Sequence, residues 1–282
     1  MTTTLRPSGP LQQTAAGARS RPYEIRVNSR RVGALVIATD TPYGPHVGVL
    51  RELYVEEPDR RRGRATVAVL AGEEVLRGWG CDRVRISVPA DAAGGLRLAT
   101  ALGYTEEGRL MRKTLPAAPP ALPDGVRARA LTAPEYATWL DRAVTAYADV
   151  CADRGMAPDT AAAHSRDDHA DLLPDGPDTP GMSVAILEAD GEPVGTVWAG
   201  DHAPGGARSR HDGWYVYDVE VFAAHRGRGH GRSLLLQAER TALADGSTAL
   251  GLHRFSANTP AVRLYDSLGY RPLTVNFTKI LL

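Results

Sequence analysis

One constant offset runs through this chain. Adding 166 to the residue number carries Val55 to Val221, Arg60 to Arg226, Gly63 to Gly229, Leu70 to Leu236 and Glu73 to Glu239. It also carries Leu102 to Leu268, Gly103 to Gly269, Tyr104 to Tyr270 and Lys113 to Lys279. The register holds without a gap from Val55 to Lys113, which chance does not produce. The chain therefore reads as a tandem duplication of one fold, and its 282 residues divide into two ordinary domains rather than one large one.

Residues 1–20, rich in Thr, Pro, Gly and Ala, read as a disordered tail. The first copy then spans 21–115. Tyr23–Val27 and Val32–Ala38 alternate as a hairpin about Asn28-Ser29-Arg30, and His46–Val55 is a further strand. A helix is expected over 64–78, with Val67, Leu70, Ala71 and Val75 on one face. Val84, Ile86 and Val88 alternate as a strand, Leu96–Leu102 is helical, and Arg109–Leu115 closes the copy. A Pro/Ala linker at 116–124 leads into the second copy, 125–282. That copy opens with a stretch, roughly Val126–Gly181, that has no counterpart in the first. It holds a strand at Val126–Leu131, a helix opened by Thr132 and Pro134, a second helix over 159–172, and then a loop. Ser183–Leu187 and Val194–Ala199 form a hairpin about Asp190-Gly191.

The most informative stretch follows. Val219 and Val221 alternate with Glu220 as a strand; Gly227, Gly229 and Gly231 make a turn; Leu234, Leu235, Ala238 and Ala242 recur at helical spacing. Glycines before a helix let backbone amides approach an anion closely, and Arg226, Arg228 and Arg232 add positive charge. Downstream lies Asn258-Thr-Pro-Ala-x-x-Leu264-Tyr265-x-x-Leu268-Gly269-Tyr270. The pattern Arg226-x-x-Gly229-x-Gly231 and this later helix together resemble the two core motifs of the GNAT acetyltransferase superfamily. The resemblance covers 125–282 well, and it implies two tandem α/β (α+β) folds, each a mixed, mostly antiparallel sheet flanked by helices.

The resemblance also implies acetyl-CoA as co-substrate, its pyrophosphate held by Gly227, Arg228, Gly229, His230 and Gly231. Backbone amides of Val219 and Val221 would contact pantetheine, with Arg226, Arg232 and Asn258 as further cofactor-binding candidates. Tyr265 is the candidate general acid, since a phenol of pKa about 10 is protonated at neutral pH and can donate to a thiolate. Asn258 and Tyr265, seven residues apart, share a helix face, though Asn258 also suits a simple capping role. Asp218 and Glu220 are the candidate bases, against the bland reading of solvated or arginine-paired carboxylates. Tyr217, His202, His211 and His253 are further candidates without geometric support.

The copies are unequal. The offset maps Tyr265 to Ala99 and Asn258 to Ala92, so the first copy keeps an arginine-rich loop but not the later side chains. It also lacks the first strand and two helices that build much of an acceptor pocket in the GNAT pattern. It reads as a truncated, degenerate copy.

Composition narrows the partners. Lys plus Arg and Asp plus Glu both number 33, so no global field recruits nucleic acid or membrane. Arg60–Arg64 lacks aromatic interleaving and is flanked by Glu56, Glu57 and Asp59, which favours an anion loop over a nucleic-acid patch. Two cysteines provide neither a disulfide framework nor a four-thiolate metal site, and no metal is expected. No apolar run or signal core suggests membrane or export, so the expected location is cytoplasmic. The expected function is acetyl transfer to a primary amine of a small molecule. Tandem GNAT enzymes acting on small thiol precursors or antibiotics in actinobacteria have a similar layout. Another acyl-CoA, a protein N-terminal acceptor, or a non-catalytic acyl-CoA-binding module are the alternatives; a homodimer is neither required nor excluded.

Overall fold

The computed structural model describes residues 2–15, 17–39, 43–201, 213–256 and 258–281. They form two compact units. Unit 1 comprises Met1–Gly108, Arg154–Met156 and Thr274–Leu282; unit 2 comprises Arg109–Asp153 and Ala157–Leu273.

In unit 1 the elements run β1 (Thr3–Pro7), β2 (Gln12–Gln13), β3 (Arg19–Val27), β4 (Arg30–Thr39), β5 (Val47–Val55), α1 (Arg64–Gly78), β6 (Arg83–Pro89) and α2 (Ala93–Ala101). Next comes β7 (Thr105–Thr114), which passes into unit 2 at Arg109. Unit 2 continues with β8 (Val126–Ala130), α3 (Ala133–Asp153), α4 (Pro158–Leu172), β9 (Met182–Ala189), β10 (Glu192–Gly200), β11 (Trp214–Val221), α5 (His230–Ala244), β12 (Ala249–Phe255) and α6 (Thr259–Ser267). The last strand, β13 (Arg271–Ile280), returns to unit 1 from Thr274 onward.

The sheet of unit 1 is ordered β1-β3-β4-β5-β6-β13, and that of unit 2 β7-β12-β11-β10-β9-β8. Pairs β1–β3, β3–β4, β4–β5, β6–β13, β8–β9, β9–β10 and β10–β11 are antiparallel, whereas β5–β6 and β11–β12 are parallel, each bridged by a helical crossover. Each unit therefore takes its final strand from the other repeat. The boundary expected at residues 116–124 misses this exchange.

Two further expectations are corrected. Residues 1–20 are not a tail: Thr3–Pro7 pairs with Val27–Tyr23, as Val126–Ala130 pairs with Ala189–Ala185 in unit 2. The first copy thus has its first strand, and lacks only the counterparts of α3 and α4. Leu5 packs against the core of Ile25, Val32, Val55 and Ala68, so burial of one apolar side chain helps hold a strand otherwise made of polar residues.

Unit 2 has a core on each side of its sheet. Leu234, Leu235, Ala238 and Ala242 of α5 pack with Val197, Val216, Leu250 and Tyr270. On another cluster Trp139 of α3 packs with Val184, Ile186 and Trp198. The start of α3 is a capping box: the Thr132 backbone N–H donates to Glu135 Oε2 at 2.7 Å, and Arg129 braces the same carboxylate at 2.8 Å. That carboxyl is held down to about 2, chiefly by Arg129.

Candidate active site

The site of unit 2 begins where two parallel strands part. β11 and β12 pair only over Trp214–Val216 and Leu250–Leu252. Beyond Val216, β11 stays registered with β10 as far as Val221 opposite Gly195, but no longer with β12. A bulge next to the divergence sets Trp198 opposite Asp218 and Ala199 opposite Val216, adding Tyr217 to β11 and turning the strand. Gly195 allows the close approach, because a Cβ there would lie 2.3 Å from the Glu220 carbonyl oxygen. A cleft between splayed strands, edged by main-chain groups, suits an extended amide-containing chain.

At the end of β11 the chain makes one 3-10 turn, Ala223–His225, and then the glycine turn into α5. Gly227 has φ +78° and Gly229, the residue capping α5, has φ +87°. Both lie in the left-handed region that glycine enters at little cost. Arg232 donates from its backbone N–H to the Gly229 carbonyl, but the amides from Gly227 to Gly231 have no protein acceptor among the described residues. Unpaired N–H groups at a helix start, in a turn exposed from Gly227 to Gly229 and half-buried at His230 and Gly231, fit a diphosphate. The residues present therefore suit the coenzyme that the sequence implies.

The arginines divide their duties. Arg226 Nε donates to the Val221 carbonyl at 3.1 Å, bracing the strand end, and Arg232 reaches Ser267 Oγ at 2.6 Å. Each guanidinium thus has a protein partner of its own beside the turn. Arg228 is exposed, and His230 lies edge-on to His225 with ring centroids 6.2 Å apart. The Val219 and Val221 side chains pack against the core, leaving their backbone for the cleft.

Two carboxylates that the sequence leaves equivalent are distinct here. Glu220 is paired with Arg142 of α3 at 2.7 Å. Asp218 is pushed up to about 6, mainly by burial and then by the Glu220 charge, with the Val219 amide and Arg142 opposing. Tyr265 of α6 is half-buried, and its phenol is raised by burial and by the nearby Asp218 charge. Asn258 caps α6 by accepting the Ala261 N–H at 3.2 Å, so its oxygen serves the helix.

Other candidates are less engaged. Tyr217 stacks on Trp198 at 4.5 Å, with its hydroxyl buried and without a hydrogen-bond partner among the described residues, and His253 lies edge-on to Phe255. His202 and His211 lie outside the described residues. Sequence reasoning named Tyr217 but missed Arg142 and the aromatic neighbours Trp139, Trp198 and His169. Tyr136 and Trp139, three apart on the amphipathic α3, were the available signal.

Unit 1 preserves the frame without these side chains. β5 and β6 pair only over Val47–Leu50 and Arg83–Ile86 before parting, Gly33 replaces Gly195 in the close approach, and Gly63 caps α1 at φ +72°. Ala99 is buried where Tyr265 stands in unit 2.

A profile of the Acetyltransferase (GNAT) family matches residues 5–104 and 147–270. The chain belongs to the GNAT acetyltransferase family. It is thus an N-acetyltransferase by family, with acetyl-CoA as the acyl donor, and the two matched segments fall in the two repeats. A mycothiol acetyltransferase of Thermobispora bispora is 32% identical over 198 residues, spanning 68% of this chain and 64% of that protein's length. A mycothiol acetyltransferase of Thermomonospora curvata is 30% identical over 81% of this chain and 72% of its own. The crystal structure of a GCN5-related N-acetyltransferase from Sphaerobacter thermophilus shares the fold, with a TM-score of 0.58 at 19% identity over 92% of this chain and 80% of that one. Among the described residues no helix is long and apolar enough to cross a membrane.

Proposed function

We propose that this protein transfers the acetyl group of acetyl-CoA to a primary amine of a small molecule, and that unit 2 performs the chemistry. The observation that carries this reading is the placement of Asp218, with its carboxyl near 6, on the strand that diverges from β12, electrostatically coupled to Tyr265. Acetyl-CoA supplies an activated acyl carbon and a thiolate leaving group. The amides of 227–231 hold its diphosphate, and the main chain of Val219 and Val221 edges the cleft for its pantetheine. Asp218 is largely ionised at neutral pH and takes a proton from the attacking ammonium or amine. Tyr265, protonated over the same range, holds at its hydroxyl the proton for the departing sulfur. Glu220, tied to Arg142, shapes the field around Asp218 rather than exchanging protons.

The acceptor to test first is the deacetylated form of mycothiol, since four relatives are named mycothiol acetyltransferase and a small amine of this kind suits the reading. Free CoA thiol released from acetyl-CoA is measured with this amine and with a panel of other small amines and peptide N-termini. Turnover with at least one small amine, lost in Asp218→Asn, is the expected result. Acetyl-CoA binding without turnover on any amine would instead favour a binding module.

A further inference from the structure

Only two lysines occur in this chain, Lys113 and Lys279, although Lys and Arg together number 33. They are repeat counterparts, and each ends in the unit opposite its own repeat's glutamate. Lys113 Nζ lies 2.6 Å from Glu239 Oε1 in unit 2, and Lys279 Nζ lies 2.8 Å from Glu73 Oε2 in unit 1. Glu239 is fully buried and Glu73 nearly so. The strand exchange thus delivers one cation to each buried carboxylate.

In unit 2 this pair continues toward the acetyl-transfer site. The Tyr270 hydroxyl is 3.5 Å from Glu239 Oε1, and Lys113 Nζ stands 5.8 Å from the Tyr270 ring centroid. Tyr270 is fully buried, its backbone N–H donates to the Tyr265 carbonyl at 3.1 Å, and its ring meets the Tyr265 ring edge-on at 6.0 Å. The phenol assigned as acid is therefore set by a wall whose far side is fixed by Lys113. Unit 1 repeats the arrangement and then stops: Lys279 stands 5.5 Å from the Tyr104 ring, Tyr104 donates its backbone N–H to the Ala99 carbonyl at 3.1 Å, and Ala99 has no phenol to orient.

We infer that Lys113, supplied by the first repeat, is a positioning residue for acetyl transfer in unit 2, acting through Glu239 and Tyr270 on the orientation of Tyr265. The first repeat thereby contributes to turnover through a strand, whatever its own cleft binds. This rests on Tyr265 being the acid. A buried carboxylate fixed by a compact cation holds the Tyr270 ring in one place, and a phenol displaced by even 1 Å costs rate steeply.

The symmetry of the chain provides the control. Lys113→Met and Lys279→Met each strand a buried glutamate, and both are expected to lower the melting temperature of the full-length protein. Only Lys113→Met is expected to lower kcat, on the order of tenfold or more, with KM for acetyl-CoA within about twofold. Lys279→Met keeps kcat within about twofold of the parent. Equal losses in the two variants, or no loss in Lys113→Met, overturn the inference. If Lys113→Met fails to fold, Tyr270→Phe decides: it keeps the ion pair and removes the hydroxyl, and unchanged kcat there equally overturns it. Tyr265→Phe separates the two levels. Unchanged kcat in Tyr265→Phe removes the acid assignment itself, whereas a loss there beside equal lysine variants removes only the role of Lys113.

Discussion

Replacing Asp218 with Asn tests the electrostatics of the site through stability as well as rate. Burial and Glu220 lift the carboxyl from an ordinary 3.8 to about 6. At about 1.4 kcal/mol per tenfold change in the acidity constant, that rise corresponds to about 3 kcal/mol. The sign follows from proton counting. Between the two values the folded protein binds more protons at this site than the unfolded chain, so stability is full below 3.8 and is lost as pH rises through 6. A neutral Asn escapes that loss. Asp218→Asn is expected to exceed the parent in unfolding free energy by about 1 kcal/mol at pH 4.5 and about 3 kcal/mol at pH 7.5, with Tm raised by roughly 5–10 °C at the higher pH. Guanidinium unfolding at the two pH values measures the gap, and parallel assays should show kcat/KM of the parent falling with a slope of one below about 6. A gap that fails to widen with pH, or an Asn variant no more stable at pH 7.5, would refute the picture of a buried carboxylate held for proton transfer.

Four other substitutions probe separate parts of the protein. Tyr265→Phe should lower kcat by about 10²- to 10⁴-fold, the usual range for a lost acid, while calorimetry finds acetyl-CoA affinity unchanged. Gly229→Ala adds a side chain at φ +87°, which should cost about 1–2 kcal/mol of stability and weaken acetyl-CoA binding; open space around it leaves backbone conformation as the cause. Gly195→Ala should abolish turnover by driving a methyl group into the Glu220 carbonyl, whereas Gly33→Ala, which makes the same 2.3 Å clash with the Tyr54 carbonyl, should destabilise unit 1 and spare the kcat of the folded fraction.

Much of this was legible in the sequence because it depends on local constraints. Glycines forced to positive φ, alternation in β11 and helical spacing in α5 all appear as short-range patterns, and a constant offset displays duplication directly. The partners of β7 and β13 do not. Both strands follow a Leu-Gly-Tyr turn and carry the same lysine, so nothing local says which sheet each joins. The first strand, Thr3–Pro7, escaped notice because a single half-buried leucine and backbone pairing hold it, while its Thr, Arg and Pro composition resembles a tail. In the site, the family pattern singled out Tyr265 as the acid, but residue types alone left Asp218 and Glu220 equivalent as candidate bases. What separates the carboxylates is the Arg142 guanidinium arriving from α3, a contact between segments far apart in sequence.

The central claim is that main-chain N–H groups at 227–231 hold the diphosphate of acetyl-CoA. Hydrogen exchange across residues 226–233 measures those groups directly, with acetyl-CoA and with S-acetylpantetheine, which lacks the diphosphate. Protection by acetyl-CoA alone is the expected outcome; no protection, or equal protection by both compounds, would contradict it.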